Sequence, residues 1–143
     1  MRPAVRRWLV LGAAAAAAAA CGPSARKPEL RQSSDSYMFS VSSDPMPPRA
    51  RENVVYKIVV RDKKTRQPID AGEGRIFATS EDRANTWDGL ERGPELGTYY
   101  GRLHFITSGT WAVAIQFRRD STASLERVDW MQDVLQAHDP GAQ

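Results

Sequence analysis

The chain has 143 residues, with 20 basic and 17 acidic side chains, a formal charge of +3 and one cysteine, which leaves room for one ordinary domain and excludes an internal disulfide. Its basic excess sits at the N-terminus in Arg2, Arg6 and Arg7; without them 17 basic residues face 17 acidic ones. The remainder is near neutral and has no Lys/Arg stripe with interleaved aromatics, so nucleic acid is excluded as a partner.

Residues 1–20 read as a lipoprotein signal peptide: a basic start, an apolar run from Trp8 to Ala20, and small residues before a cut. The run is about 13 residues, short of the roughly 20 that cross a bilayer as a helix. Ala18-Ala19-Ala20-Cys21-Gly22 resembles the lipobox of bacterial lipoproteins, although Leu is usual where Ala18 stands. The resemblance implies acylation at Cys21, a membrane contact through that lipid, and a place in the bacterial cell envelope facing the periplasm. Gly22 in place of Asp favours the outer membrane. The other reading is an ordinary signal cut that leaves Cys21 a free thiol.

Residues 21–35 are polar, with Pro23, Pro28 and several serines, and are expected to form a flexible tether after the acylated cysteine. From Ser36 to Ser42, Tyr37, Phe39 and Val41 alternate as a strand, which Pro45, Pro47 and Pro48 end. Asn53 to Asp62 is a second strand, with Val54, Tyr56, Ile58 and Val60 on one face and Val55, Lys57, Val59 and Arg61 on the other. Arg75 to Ser80 is a shorter third. Glu81 to Leu96 loses the pattern, and Thr86-Trp87 is the one place in it where a strand can hide.

Gly97 to Phe117 carries the densest period-two signal. Tyr99, Gly101, Leu103 and Phe105 share a parity, as do Trp111, Val113, Ile115 and Phe117 beyond Thr107-Ser108-Gly109. This predicts a β-hairpin whose two strands pair as antiparallel neighbours, with Gly109 at φ > 0. The stretch 124–136 fits a helix through Leu125, Val128, Met131 and Leu135, or a strand through Val128, Trp130 and Val134. A strand at Arg127 to Val134 is favoured because a sandwich needs its edge filled. The fold expected over 36–136 is all-β: an immunoglobulin-like antiparallel β-sandwich of about seven strands, followed by a disordered tail at 137–143.

Val60-Arg61-Asp62, Gln67-Pro68-Ile69, Gly97-Thr98-Tyr99, Phe105 and Gly109-Thr110-Trp111-Ala112-Val113 form a pattern that resembles the YtkA-like and FixH-like domains of bacterial envelope proteins. The resemblance covers roughly Tyr37 to Phe117. It implies an immunoglobulin-like fold and, through relatives suspected of handling copper, a role in metal handling or respiratory-complex assembly. Those relatives carry Met and His in the long loop; Glu81 to Leu96 here has neither. Gly97-x-Tyr99 also looks like a tyrosine corner, in which a tyrosine hydroxyl bonds back to the preceding loop.

No nucleophile elbow, phosphate loop or metal-ligand spacing is present, so no enzymatic activity and no cofactor are expected. Met38, Met46 and His104 are the only soft-metal candidates, and each has a plain alternative as a strand-face, loop or surface residue. The acidic run Asp82 to Asp88 lacks the alternation of a calcium loop. Trp87 is either tucked over the end of the sandwich, which the cost of an exposed tryptophan favours, or offered to a partner. Val55 and Val59 on one strand and Tyr100, Arg102, His104 and Ile106 on another face outward and form a partner surface if the strands share a sheet. The function expected is a lipid-anchored envelope binding or scaffold module, with an envelope protein as partner; the alternative is copper handling or respiratory-complex assembly in the periplasm.

Overall fold

The computed structural model describes residue 22 and residues 27–141; the signal segment and Cys21 lie outside the described residues. Nine strands follow in chain order: β1 (Leu30–Ser33), β2 (Tyr37–Asp44), β3 (Asn53–Asp62), β4 (Glu73–Ser80), β5 (Asn85–Gly89), β6 (Glu91–Arg92), β7 (Thr98–His104), β8 (Gly109–Arg118) and β9 (Glu126–Val134). They form two antiparallel sheets, one ordered β1-β2-β3-β7-β6 and the other β5-β4-β8-β9. This is the β-sandwich that the alternation predicts, and its two central sets follow the two-sheet, crossed-over order of immunoglobulin domains.

The seven expected strands all form, and the stretch from Glu126 to Val134 is a strand rather than a helix. Two more appear where no strand was expected. Leu30 to Ser33, inside the supposed tether, pairs with Val41 to Met38 of β2. Its side chains are mostly exposed, so an edge strand held by one neighbour shows little apolar alternation. The folded body also reaches past 136, since Ala137 packs against the core. The long stretch Glu81 to Leu96 holds the two-residue β6 and β5, with Thr86-Trp87 in the middle of β5.

The largest correction concerns β7 and β8. They are not hairpin neighbours: β7 pairs with β3 and β6, and β8 with β4 and β9. The chain between them arches from one sheet to the other. Phe105 and Trp111 therefore meet across the core, ring centroids 5.1 Å apart and edge to face, and the Trp111 indole N–H donates to the Thr107 carbonyl at 3.0 Å. A hairpin would set both apolar stripes side by side on one sheet face and leave other strands to cover them. The arch lets them cover each other. Gly109 has the expected positive φ, 113°, but it opens β8 after a crossover rather than closing a hairpin.

The core lies between the sheets. Tyr37, Phe39, Tyr99 and Phe117 cluster at one end, with three ring pairs between 5.2 and 6.0 Å to Phe117, and Phe105 and Trp111 fill the other. Tyr99 is the tie. Its hydroxyl donates to the Ile69 carbonyl at 2.5 Å and accepts from the Gly72 N–H at 2.9 Å. The bond runs to the loop between β3 and β4 and not to the loop just before Tyr99, so it ties β7 to the crossover that leads into the other sheet instead of closing a local corner. Gly97 makes the approach possible: at φ 69° a Cβ there would stand 2.6 Å from Pro68 Cβ.

Candidate functional site

Each sheet has one face turned to solvent. On the five-stranded sheet, β3 and β7 are neighbours as the expected partner surface requires, with Val55 opposite Arg102 and Asn53 opposite His104. The apolar part is nevertheless broken. Lys57 stands between Val55 and Val59, opposite Tyr100, and pairs with Glu95 at 3.4 Å. Ile106 is 53% exposed but lies beyond the end of β7 in the arch, and Trp87 belongs to the other sheet. The predicted surface is thus split among three places.

Its histidine is engaged as a surface residue. His104 Nδ1 lies 3.1 Å from Asn53 Oδ1, and its backbone N–H donates to Thr86 Oγ1 at 3.1 Å. The neighbouring Arg102 N–H donates to Asp88 Oδ2 at 2.8 Å. Two side chains of β5 thereby occupy ladder positions along β7 that the two-residue β6 does not reach, which closes that side of the sandwich. Met38, Met46 and His104 are not brought together. Met38 pairs with Arg61 at one end of β3 and His104 with Asn53 at the other, while Met46 lies beyond the far end of β2 and takes a hydrogen bond from Ser43 at 3.2 Å. Among the described residues no group of three His, Cys, Asp or Glu is placed to hold a metal ion.

The outer face of the four-stranded sheet is different. The register sets Trp87, Phe77, Ala114 and Asp129 in one row across β5, β4, β8 and β9, with Thr79, Ala112 and Met131 in the next. Trp87 is 68% and Met131 67% exposed, so the tryptophan is offered to solvent and not tucked over the sandwich end. It stands at one edge of the sheet and Met131 at the other, about 16 Å apart over three strand spacings and one row along the strands. Between them lie Phe77 and two alanines, a low apolar floor between two tall side chains.

The rim of this face is charged. Arg75 and Arg127 hold their guanidinium carbons 5.2 and 5.0 Å from the Phe77 ring centre, where the ring's negative face attracts them. Arg127 is also bound to Asp129 through its Nη2 at 2.6 Å. Arg75 donates to Gln116 at 2.8 Å and has no acidic partner among the described residues. The sequence carries this face only in scattered form. Phe77 and Trp87 are outward on two strands of unknown pairing, and the β8 contribution is alanine, which no hydrophobic alternation marks.

One charged pair is structural. Asp62, at the end of β3, accepts the N–H groups of Thr65 and Lys64 at 2.9 and 2.8 Å and the Arg119 guanidinium. Thr65, then Arg119 and Lys64, hold its carboxyl well below the usual carboxylate range. Arg119 follows β8, so this cluster latches one sheet to the other. Compared with known proteins, the chain matches no family model, no curated sequence and no solved structure.

Proposed function

We propose that the chain is a lipid-anchored binding or scaffold module of the bacterial cell envelope, without catalysis of its own, that meets a protein partner through the outer face of its four-stranded sheet. The observation that carries this is the pair Trp87 and Met131, both about two-thirds exposed on one face with Phe77, Ala112 and Ala114 between them. Isolated exposed apolar residues are ordinary, whereas two large ones on the same sheet face, one of them a tryptophan, have the composition of a binding surface. Arg75 at the rim suits a partner that brings a carboxylate beside an apolar side chain. The lipobox-like Ala18 to Gly22 supports the anchor and the envelope location, and the YtkA-like pattern supports the same compartment. The copper-handling alternative draws no support from the placement of Met38, Met46 and His104.

A photo-reactive side chain at position 131 tests the docking face, with position 57 on the other sheet as control. A discrete cross-linked product is expected in cells from position 131 and not from 57, and its yield falls when Trp87 is changed to Ala. Truncating a tryptophan that anchors an interface weakens such contacts by about 2 kcal/mol or more, roughly 30-fold. Because Trp87 is exposed, the same change moves stability by only about 0.5 kcal/mol. Equal products from both positions, or none from 131, defeats the docking face.

A further inference from the structure

At the open side of the sandwich, between edge strands β1 and β9, the sheets part to leave a slot of about 250 Å³. Leu30 and Val41 line it from one sheet, Trp130 and Gln132 from the other, and Met46 from the proline-rich loop, with Tyr56 of β3 on its inner side. Tyr56 is 1% exposed, and its ring centre lies 6.3 Å from that of Trp130. Its hydroxyl is buried and has no hydrogen-bond partner among the described residues.

That hydroxyl stands apart from the two other buried tyrosines. Tyr99 is satisfied twice over, and Tyr37 accepts the Arg119 N–H at 3.0 Å. Ser43, opposite Tyr56 in the ladder, has its hydroxyl turned to Pro45 and Met46. Buried polar groups are nearly always paired, so an orphaned donor beside a pocket marks a place for an acceptor from outside the fold.

We infer that the slot binds a compact, uncharged, largely apolar molecule that carries a hydrogen-bond-accepting oxygen, of which a cyclic ketone is the simplest representative, with Tyr56 as the donor. Size sets the body of the ligand. A cavity of about 150 Å³ admits benzene, so 250 Å³ takes a fused bicycle. Charge sets the rest. Among the described residues, Glu29 at the exposed mouth is the only ionisable carboxylate or cation in the lining, which repels anions, while an ammonium group offers the hydroxyl no acceptor. Burial raises the Tyr56 pKa, which keeps the phenol neutral and donating at ordinary pH. The slot shares no residue with the docking face, so the two proposals stand or fall separately.

The probes are 1-tetralone and its hydrocarbon counterpart tetralin, titrated into the full chain while the Met46 methyl and Trp130 indole resonances are followed. Tetralone is expected to shift both saturably, and tetralin to bind about tenfold more weakly, the weight of one hydrogen bond to a buried donor. Tyr56→Phe should weaken tetralone binding by about the same tenfold factor and leave tetralin unchanged. If Tyr56→Phe disturbs the fold, Leu30→Trp, at an edge position 37% exposed, fills the mouth and should abolish tetralone binding. The proposal is overturned by no saturable shift up to the solubility limit, by equal affinity for the two probes in the wild type, which would leave water as the hydroxyl's partner, or by tetralone binding retained in Leu30→Trp.

Discussion

At the scale of single residues, burial decides the worth of a polar group. The Tyr56 hydroxyl is buried without a hydrogen-bond partner among the described residues, so Tyr56→Phe removes a desolvated group and no bond. In the absence of ligand this change is expected to raise stability by about 1 kcal/mol, seen as a higher urea midpoint at unchanged m-value; a lower midpoint would show the hydroxyl already bonded. Asp62 works the opposite way. Its folded pKa is depressed by Thr65, Arg119 and Lys64, so its contribution is fully present above the unfolded carboxylate value of about 4 and is lost as pH falls below it. Asp62→Asn should therefore be less stable than wild type at pH 7, and the gap should narrow steadily between pH 4 and pH 2 in urea titrations. A gap independent of pH would remove the carboxylate from the acid response.

At the scale of elements, the arch between β7 and β8 and the tie at Tyr99 organise the sandwich. The arch sends two consecutive strands to opposite sheets, and Tyr99 returns from β7 to the β3–β4 loop through Ile69 and Gly72. Tyr99→Phe leaves a buried carbonyl and an amide short of partners, at a cost of about 1 to 3 kcal/mol. Hydrogen exchange gives the sharper readout: the Gly72 amide should exchange faster in the variant, whereas a general loss of packing would accelerate amides throughout β8 as well. Strand positions for β2, β3, β4, β7, β8 and β9 were legible because each alternates. β1 was not, since a short edge strand with exposed side chains looks like a polar linker. Neither was the pairing of β7, because alternation tells which face a residue takes and says nothing about which strand lies beside it.

At the scale of the whole molecule, the sandwich leaves three distinct surfaces: a mixed face on β3 and β7 interrupted by Lys57, an apolar face with Trp87 and Met131, and a slot between the edge strands. Only the first was legible in part, through Val55, Val59 and Tyr100. The other two are built from residues far apart in the chain, Trp87 with Met131 and Leu30 with Trp130, which meet only after both sheets have formed. The anchor belongs to this scale too. Cells supplied with a labelled fatty-acid analogue are expected to label the wild-type chain and not Cys21→Ala; label retained in the variant would remove the lipoprotein reading.

The sequence by itself determined the β class, the inward residues of β2, β3, β7, β8 and β9, and the positive φ at Gly109, because these follow from side-chain period and from backbone sterics acting within a few residues. The tertiary structure alone decided that β7 and β8 lie on opposite sheets, that the stretch at Leu30 is a strand, and that Trp87 faces solvent beside Phe77. Those depend on which apolar stripes cover each other, and that choice minimises exposed area over the whole chain and leaves no local mark in any one segment.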